Sequence, residues 1–344
     1  MLGKTIIMKI SLLTLVIDFF VLQVHGGENY VVCIPNQIDN TVMIETSWSD
    51  TLIRVGEKPH GLAILKNRYG TEKHLWIVHR GKEINDSMAV RVAGQDSLYK
   101  GSVWIFDLYN FKTLAKIPVG RSPAHIAIIT KGKLETIAVE VDSGQEINSK
   151  TTQGNNELEE KEVTNSAYAF VTDELSNDVS VINAKTTIVV KSIPVGVRPH
   201  MIKASPDQKY VCVANIGSGD ISLINPLKFE VVKTVKSGSI PASMDFTPDS
   251  KYLYVSLSQE NSLVKFDCTS WEIVDRIPVG RNPQGVRISL PSGRNIYVEC
   301  SEENDKSSIV EYKINVRTKN IISKIKVKQG RPSSADDHIA SGSY

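Results

Sequence analysis

Five near-copies of one short turn recur along the 344-residue chain and restrict its fold more than any other feature. In each copy a glycine precedes a proline by three positions; the copies are residues 55–59 (VGEKP), 119–123 (VGRSP), 195–199 (VGVRP), 237–241 (SGSIP) and 279–283 (VGRNP). A looser copy occupies residues 329–332 (QGRP). Gly196, Gly238 and Gly280 are spaced 42 residues apart. A repeat of this length indicates stacked supersecondary units.

Each unit contains four short runs that are typical of β-strands. In the copy that starts at Gly196, the runs are His200–Ala204, Lys209–Ala214, Asp220–Ile224 and Glu230–Val235. They are rich in β-branched residues and are bounded by Gly, Pro, Asn or Asp, as strands of four to six residues usually are. The following copy repeats the pattern, and the chain after residue 26 shows no sustained helical periodicity. Four antiparallel strands every 42 residues predict an all-β fold, a β-propeller of four-stranded blades.

The amino-acid sequence of the repeat also resembles that of a known protein family. The segments Ile193–Pro199 (IPVGVRP), Ser205–Asp207 (SPD) and Lys209–Asn215 (KYVCVAN) are similar to the YVTN-type β-propeller repeat of bacterial and archaeal exported and surface proteins. The resemblance covers roughly residues 28–340 and is strongest at 190–300. It implies a propeller, usually of seven blades, and does not imply a single activity.

Six blades are counted in this chain, and a seventh stays open because an insertion could contain further strands. The first blade shows only its last three strands, in residues 30–34, 41–45 and 51–55. The segment after Pro332, through His338–Ala340, is expected to supply the missing first strand. The N- and C-terminal segments would then share one blade and close the ring.

The N-terminal residues predict export. Lys4 and Lys9 precede a mostly apolar run, and residues 24–26 form an acceptable cleavage site, so residues 1–26 read as a signal peptide and 27–344 as a single propeller domain. Without residues 1–26, the chain has 38 basic and 37 acidic residues, a balance that gives no general attraction to nucleic acid or to anionic lipid. No later segment is long and apolar enough to span a membrane. We therefore expect an exported monomer, located in the periplasm, in the medium or on the cell surface.

The four cysteines, Cys33, Cys212, Cys268 and Cys300, are far apart in the sequence. They form no CxxC metal or redox pair and no haem-attachment motif. Their positions in the repeat suggest no disulfide partners, so buried free thiols are expected, and no cofactor is expected.

Two insertions interrupt the repeat, at about 81–100 and 131–165. The first follows a second strand, which places it on the same face of the ring as the Gly-x-x-Pro turns. The second is polar and acidic, falls between first and second strands, and so belongs to the opposite face. Its composition predicts a solvated loop; the alternative is an acidic segment that binds a partner.

Basic residues recur in the turns themselves. One follows the turn glycine by one or two positions in five copies: Lys58, Arg121, Arg198, Arg281 and Arg331. Ring closure would gather them around one axial opening, a positive surface suited to a carboxylate or a phosphate. Alternatively, the turn only requires a polar, solvated residue at this position.

Histidines follow three of the turns. His60 and His200 come directly after their proline, and His125 is one place further along. His60 and His200 are candidates for the channel-mouth ligand site, and all three are candidates for a metal or for acid–base chemistry. Strand alternation, however, predicts that His125 points to the opposite side from the other two, so no metal site is assigned.

Catalytic signatures of the common hydrolases and nucleotide-binding enzymes are absent. The sequence therefore favours a non-catalytic binding or scaffold module for a protein or an anionic small molecule. Two alternatives stay open: a hydrolase of the propeller lactonase type, and an accessory protein of periplasmic quinoprotein or amine dehydrogenases. Convergence of His60, His200 and an acidic residue on one pocket is the feature that would favour the hydrolase.

Overall fold

A computed structural model describes residues 22–26, 29–46, 50–66, 73–81, 100–130, 167–301 and 309–327. These residues form six four-stranded antiparallel sheets arranged as the blades of a β-propeller, which confirms the predicted fold and the count of six blades. The described residues include no helix long and apolar enough to cross a membrane. The inserted segments, 82–99 and 131–166, lie outside the described residues.

Each blade follows the chain from its first strand at the axis to its fourth strand at the periphery. Blade 1 consists of β1 (Leu22–Gly26), β2 (Asn29–Asn36), β3 (Thr41–Thr46) and β4 (Asp50–Arg54). Blade 2 consists of β5 (Pro59–Lys66), β6 (Lys73–His79), β7 (Lys100–Asp107) and β8 (Thr113–Arg121). Blade 3 consists of β9 (Pro123–Ile129), β10 (Tyr168–Asp173), β11 (Asp178–Asn183) and β12 (Ile188–Pro194). Blade 4 consists of β13 (Pro199–Ala204), β14 (Val211–Asn215), β15 (Asp220–Asn225) and β16 (Glu230–Lys236). Blade 5 consists of β17 (Pro241–Phe246), β18 (Tyr252–Leu257), β19 (Ser262–Asp267) and β20 (Ile273–Pro278). Blade 6 consists of β21 (Arg281–Ile288), β22 (Asn295–Ser301), β23 (Ile309–Asn315) and β24 (Ile321–Val327).

The first blade differs from the expected one in the origin of its inner strand. β1, residues Leu22–Gly26, pairs with β2 along its whole length and takes the place that the sequence analysis gave to the segment around residues 338–340. That C-terminal segment lies outside the described residues. Residues 22–26 also fall within the predicted signal peptide, so the same five residues are assigned to both an export signal and a blade strand.

The apolar core lies between adjacent blades. One cluster joins Cys212 and Leu223 of blade 4 to Met244 and Val255 of blade 5, all fully buried. Trp76 of blade 2 is buried in a similar cluster that includes residues of blade 3. Flat blades that are apolar on both faces can be covered only by their neighbours, and this requirement closes the blades into a ring.

The cysteines contribute to this core rather than to cross-links. All four are free thiols; Cys33, Cys212 and Cys300 are buried, and Cys268 is partly buried. The prediction of free, mostly buried thiols is confirmed.

The repeated turn has a structural explanation at each of its positions. The residue before the proline adopts a left-handed conformation in five blades, with φ between 47° and 53°. The glycine faces the end of the second strand of the blade that follows the turn: a Cβ on Gly120 would lie 2.5 Å from Asp173, and one on Gly196 would lie 2.6 Å from Asn215. A side chain at either glycine would therefore displace a buried polar group.

Asparagines attach these turns to the preceding blade. The backbone N–H groups of Lys58, Arg198 and Asn282 each donate to an asparagine side chain, Asn40, Asn177 and Asn261 respectively, at 2.8 Å. Each asparagine has a positive φ, and Gly219 takes the corresponding place in blade 4. The asparagine thus combines a left-handed turn with a hydrogen bond between blades.

We expect Asn177→Ala to lower the free energy of unfolding by about 2 kcal/mol, because it removes this hydrogen bond and replaces asparagine, which tolerates left-handed backbone, by alanine, which does not. Asn177→Gly is the matched control. It loses the hydrogen bond but keeps the backbone conformation, as Gly219 does, and should cost about 1 kcal/mol. Urea denaturation of the two variants tests this, and equal losses would contradict the role given to the left-handed turn.

Candidate ligand-binding site at the axis of the ring

Three histidines meet at the axis of the ring. His60, His125 and His200 lie near the start of β5, β9 and β13, the innermost strands of three consecutive blades. Their ring centroids are 4.6 Å (His60–His125), 4.8 Å (His125–His200) and 5.6 Å (His60–His200) apart. One nitrogen from each ring lies within 4.8 Å of those of the other two. We call these residues the histidine triad.

The prediction that His125 points away from the other two was wrong, and a β-bulge explains why. In each of the three blades the pairing of the first and second strands skips one residue just after the turn proline. In blade 3, Pro123 pairs with Asp173 whereas Ile126 pairs with Val171, so His125 lies inside the irregular stretch. Strict alternation does not hold across a bulge, which can re-aim a side chain.

Thr172 fixes the backbone of two members of the triad. Its hydroxyl oxygen accepts a hydrogen bond from the His125 N–H at 3.0 Å, and the hydroxyl donates to the His200 carbonyl at 2.7 Å. Thr172 is fully buried on β10. This single side chain therefore connects the first strands of blades 3 and 4 beside the triad.

A charged network adjoins the triad. Glu174, which follows β10, is buried; its carboxylate accepts hydrogen bonds from the guanidinium groups of Arg80 and Arg198, the latter at 2.8 Å. The Nδ1 atom of His200 lies 3.7 Å from Oε2 of the same carboxylate. Arg80 belongs to blade 2 and Arg198 to the turn of blade 4, so one acidic residue joins side chains from three blades. We call Arg80, Glu174 and Arg198 the rim network.

The surroundings lower the pKa values of both an acidic and a basic group at this site. Burial alone would raise the pKa of Glu174, but the neighbouring His200 and the positive charge of Arg80 lower it to about 2. Burial, together with electrostatic repulsion of a proton on His125 by the neighbouring His60, His200 and Arg80, lowers the pKa of His125 well below its usual value. Glu174 is therefore ionised and His125 neutral at physiological pH.

The remaining predicted site residues are distributed as follows. Arg121 adjoins the rim network, because its guanidinium donates to the Leu175 carbonyl at 2.8 Å. The carbonyl of Lys58 accepts from the Arg80 N–H at 3.1 Å. Arg281 is exposed at the start of β21 in blade 6. Arg331 lies outside the described residues.

Sequence reasoning missed Arg80 and Glu174. Both occupy the position directly after the second strand, where the backbone N–H donates to the carbonyl of the residue before the turn proline. The same position holds Ile216 in blade 4 and Ser258 in blade 5, with the same backbone hydrogen bond. The scaffold thus requires no charge at this position. The sequence did contain one indication of their role: this position holds charged residues in blades 2 and 3 and uncharged residues in blades 4 and 5.

Fold and site together define a class of protein: a six-bladed β-propeller with histidines and paired charges at its axis. A profile of YNCE-like β-propellers matches residues 160–331, half of the chain. The chain belongs to this family.

None of the curated proteins matches the chain significantly. Among solved structures, a functionally unknown protein from Desulfotomaculum acetoxidans is similar over 91% of this chain and 86% of its own, with a TM-score of 0.58 and 12% identity. Hydrazine synthase from Kuenenia stuttgartiensis is similar over 46% of each chain, with a TM-score of 0.44 and 22% identity. The chain thus covers less than half of that hydrazine synthase chain. The first of these likenesses shows the fold alone, and the second carries no functional argument.

Proposed function

We propose that the protein is an exported, non-catalytic propeller that binds an anionic small molecule at the axial opening on the face of the Gly-x-x-Pro turns. One observation carries this proposal: arginines from two different blades, Arg80 and Arg198, converge on a single buried carboxylate, Glu174. An acidic group on a partner protein would present the same chemistry.

The charge balance of this surface supports an anion. Glu174 is ionised and compensates only one of the two arginines that contact it. Lys58 and Arg121 lie in the adjoining turns and add further positive charge. Side-chain exposure is 26% for Arg80 and 54% for Arg198, so both side chains are partly accessible from solvent. Guanidinium groups bind carboxylates and phosphates through paired hydrogen bonds, which are among the stronger polar contacts in proteins.

We expect inorganic phosphate and citrate to bind the wild-type protein at low ionic strength, and Arg198→Gln to weaken that binding about tenfold, the effect of one charge-assisted hydrogen bond. Arg281→Gln is the matched control, because it removes the same charge from an exposed turn residue of blade 6. Isothermal titration calorimetry measures both variants. Absence of binding to the wild type, or equal losses in the two variants, would contradict the proposal.

A second candidate function is lactone hydrolysis, and one observation favours it. His60, His200 and the acidic Glu174 lie together, which is the arrangement that a propeller hydrolase requires. The low pKa of Glu174 argues against it, because a carboxylate held by two arginines is a poor general base. Hydrolysis of a sugar lactone by the wild type, lost in His60→Gln, would replace the binding proposal with the enzymatic one.

Export remains part of the proposal and rests on the sequence of residues 1–26. The position of β1 constrains it further: a mature chain that retains β1 must be cleaved before Leu22, whereas cleavage after Gly26 removes this strand. The intact mass of the exported protein distinguishes the two. The assignment to YVTN-type repeats and the monomeric state are likewise proposals, supported by the repeated motif and by a fold in which each blade is covered by its neighbours.

A further inference from the structure

We propose that the histidine triad binds one divalent transition-metal ion, with a fourth coordination position open to an exogenous ligand. This site goes beyond the anion-binding proposal, because it uses a separate set of donor atoms at the axis of the ring. His60, His125 and His200 come from three blades, and the repeat itself does not require a histidine: the residues that directly follow the turn proline in blades 5 and 6 are Ala242 and Gln284.

The distances suit a metal. The three donor nitrogens lie within 4.8 Å of one another. A tetrahedral ion with Zn–N bonds of about 2.0–2.1 Å separates its nitrogen ligands by about 3.3 Å, so modest rotations of the three rings bring them to bonding distance. Three imidazoles plus one open position is also a ligand set of zinc sites that accept a water or a substrate.

The surroundings restrict the histidines before any ion binds. His60 and His125 are 2% and 4% exposed. Thr172 holds the backbone on either side of the inter-blade contact between His125 and His200. A buried, pre-positioned set of ligands loses little conformational freedom on binding, and this favours affinity.

Glu174 acts on the triad through His200. Its Oε2 atom lies 3.7 Å from Nδ1 of His200, so a small shift of the ring would let Nδ1 donate to this carboxylate and leave Nε2 for an ion. Carboxylates commonly orient metal-binding histidines in this way. Arg80 and Arg198 oppose a cation, and Glu174 offsets one of these charges. We therefore expect the fourth ligand to be an anion, such as chloride, hydroxide or a carboxylate.

Edge-to-face ring packing is the alternative explanation for the triad, because the three rings contact one another in T-shaped pairs. His125→Phe separates the two explanations. It keeps an aromatic ring in the cluster and removes both nitrogens. His74→Gln is the matched control, a partly buried histidine on β6 of blade 2 that lies outside the triad.

The test uses the full-length protein after removal of metals with a chelator, in a buffer free of phosphate and carboxylates. Co²⁺ is titrated and its visible absorption recorded; Zn²⁺ binding is then measured by calorimetry. We expect one equivalent of each ion to bind, a Co²⁺ spectrum of tetrahedral intensity, and a loss of affinity of about tenfold or more in His125→Phe but not in His74→Gln.

Absence of metal binding to the wild type, or unchanged affinity in His125→Phe, would overturn the proposal. Should His125→Phe fail to fold, His200→Asn takes its place, because His200 is the most exposed member of the triad, at 18%. No anionic probe is present in this titration. Its failure would therefore leave the phosphate and citrate result standing, and the reverse also holds.

Discussion

Replacing Asp173 by asparagine is expected to stabilise the protein at neutral and alkaline pH. Asp173 ends β10 with its side chain fully buried, and burial raises the pKa of its carboxyl group to about 7. The hydrogen bond from Ser180, at 2.6 Å, acts in the opposite direction but does not compensate, and the nearby Asp178 raises the pKa further. Above this pKa the fold contains a buried carboxylate without a cationic partner among the groups that affect it.

The pH dependence follows from the sign of the shift. Because the pKa in the folded state is above the ordinary value of 3.8, the folded protein binds more protons than the unfolded chain between these two values. The free energy of unfolding therefore falls as the pH rises from about 4 to about 7, by up to about 4 kcal/mol, and this contribution is constant above that range. Asp173→Asn removes the dependence.

Blade 4 shows that asparagine fits this position. Asn215 ends β14 as Asp173 ends β10, and its amide donates to Asp220 and to Ser222, each at 2.9 Å. Asp178 and Ser180 are the corresponding residues of blade 3. An asparagine at position 173 can therefore donate to both, converting a repulsion between two acidic residues into a hydrogen bond.

Thermal unfolding of the wild type and Asp173→Asn at several pH values between 4 and 8 tests this. We expect the two to differ little near pH 4, and the variant to be more stable by about 2–4 kcal/mol at pH 8. Asn215→Asp is the reciprocal control and should lose stability as the pH rises. A variant that keeps the wild-type pH dependence would show that Asp173 is not the group responsible.

The strands were predictable from sequence to within about two residues. The predicted run Glu230–Val235 corresponds to β16 (Glu230–Lys236), and the run Asp220–Ile224 to β15 (Asp220–Asn225). These boundaries were visible because β-branched runs alternate with Asn, Asp, Gly and Pro. Asp267 illustrates this: it ends β19, and its carboxylate accepts from the Thr269 N–H at 2.8 Å, a turn hydrogen bond that Asp side chains commonly make.

The inner strand of blade 1 was not predictable in the same way. Residues 22–26 comprise the end of the apolar run and the cleavage site of the predicted export signal, so their composition indicates a signal rather than a strand. Their pairing with β2 depends on the ring as a whole, because the first blade offers an inner edge that some segment must cover. A local pattern contains no information about such a long-range requirement.

The site was predictable only in part, for two different physical reasons. His60 and His200 were recognised because they occupy one register of the repeat, whereas the orientation of His125 depends on a bulge that leaves no mark in the hydrophobic pattern. Glu174 was missed because it occurs once, at a position that varies between blades. Residues that recur in the repeat therefore identify the scaffold, whereas the residues that distinguish this site are found at positions that differ between the blades.

Glu174→Gln is expected to destabilise the protein, with the opposite pH signature to that of Asp173→Asn. Glu174 is next to Asp173 in sequence, but its carboxylate faces Arg80 and Arg198 and has a pKa of about 2. Because this value is below the ordinary 4.5, the ionised carboxylate stabilises the fold above pH 4.5, and the contribution is lost as the pH falls toward 2. The glutamine variant loses the contribution at every pH.

The shift corresponds to about 3 kcal/mol, and solvent screening at the half-exposed Arg198 reduces this to about 2 kcal/mol. Removal of the carboxylate also leaves two guanidinium groups close together beside the triad, which adds repulsion. We therefore expect the free energy of unfolding of Glu174→Gln to be lower by about 2–3 kcal/mol at pH 7, with the difference from wild type shrinking between pH 4.5 and 3.

Denaturation in the presence of a chelator measures this without a contribution from metal binding. The double variant Glu174→Gln with Arg198→Gln is the informative control, since removing one of the two unpaired charges should restore part of the lost stability. A constant difference between pH 3 and pH 7 would mean that Glu174 acts through packing rather than through its charge. In that case the charge of Glu174 would contribute little to the rim network, and the proposal of anion binding at the axial opening would depend on the positive charges of the arginines alone.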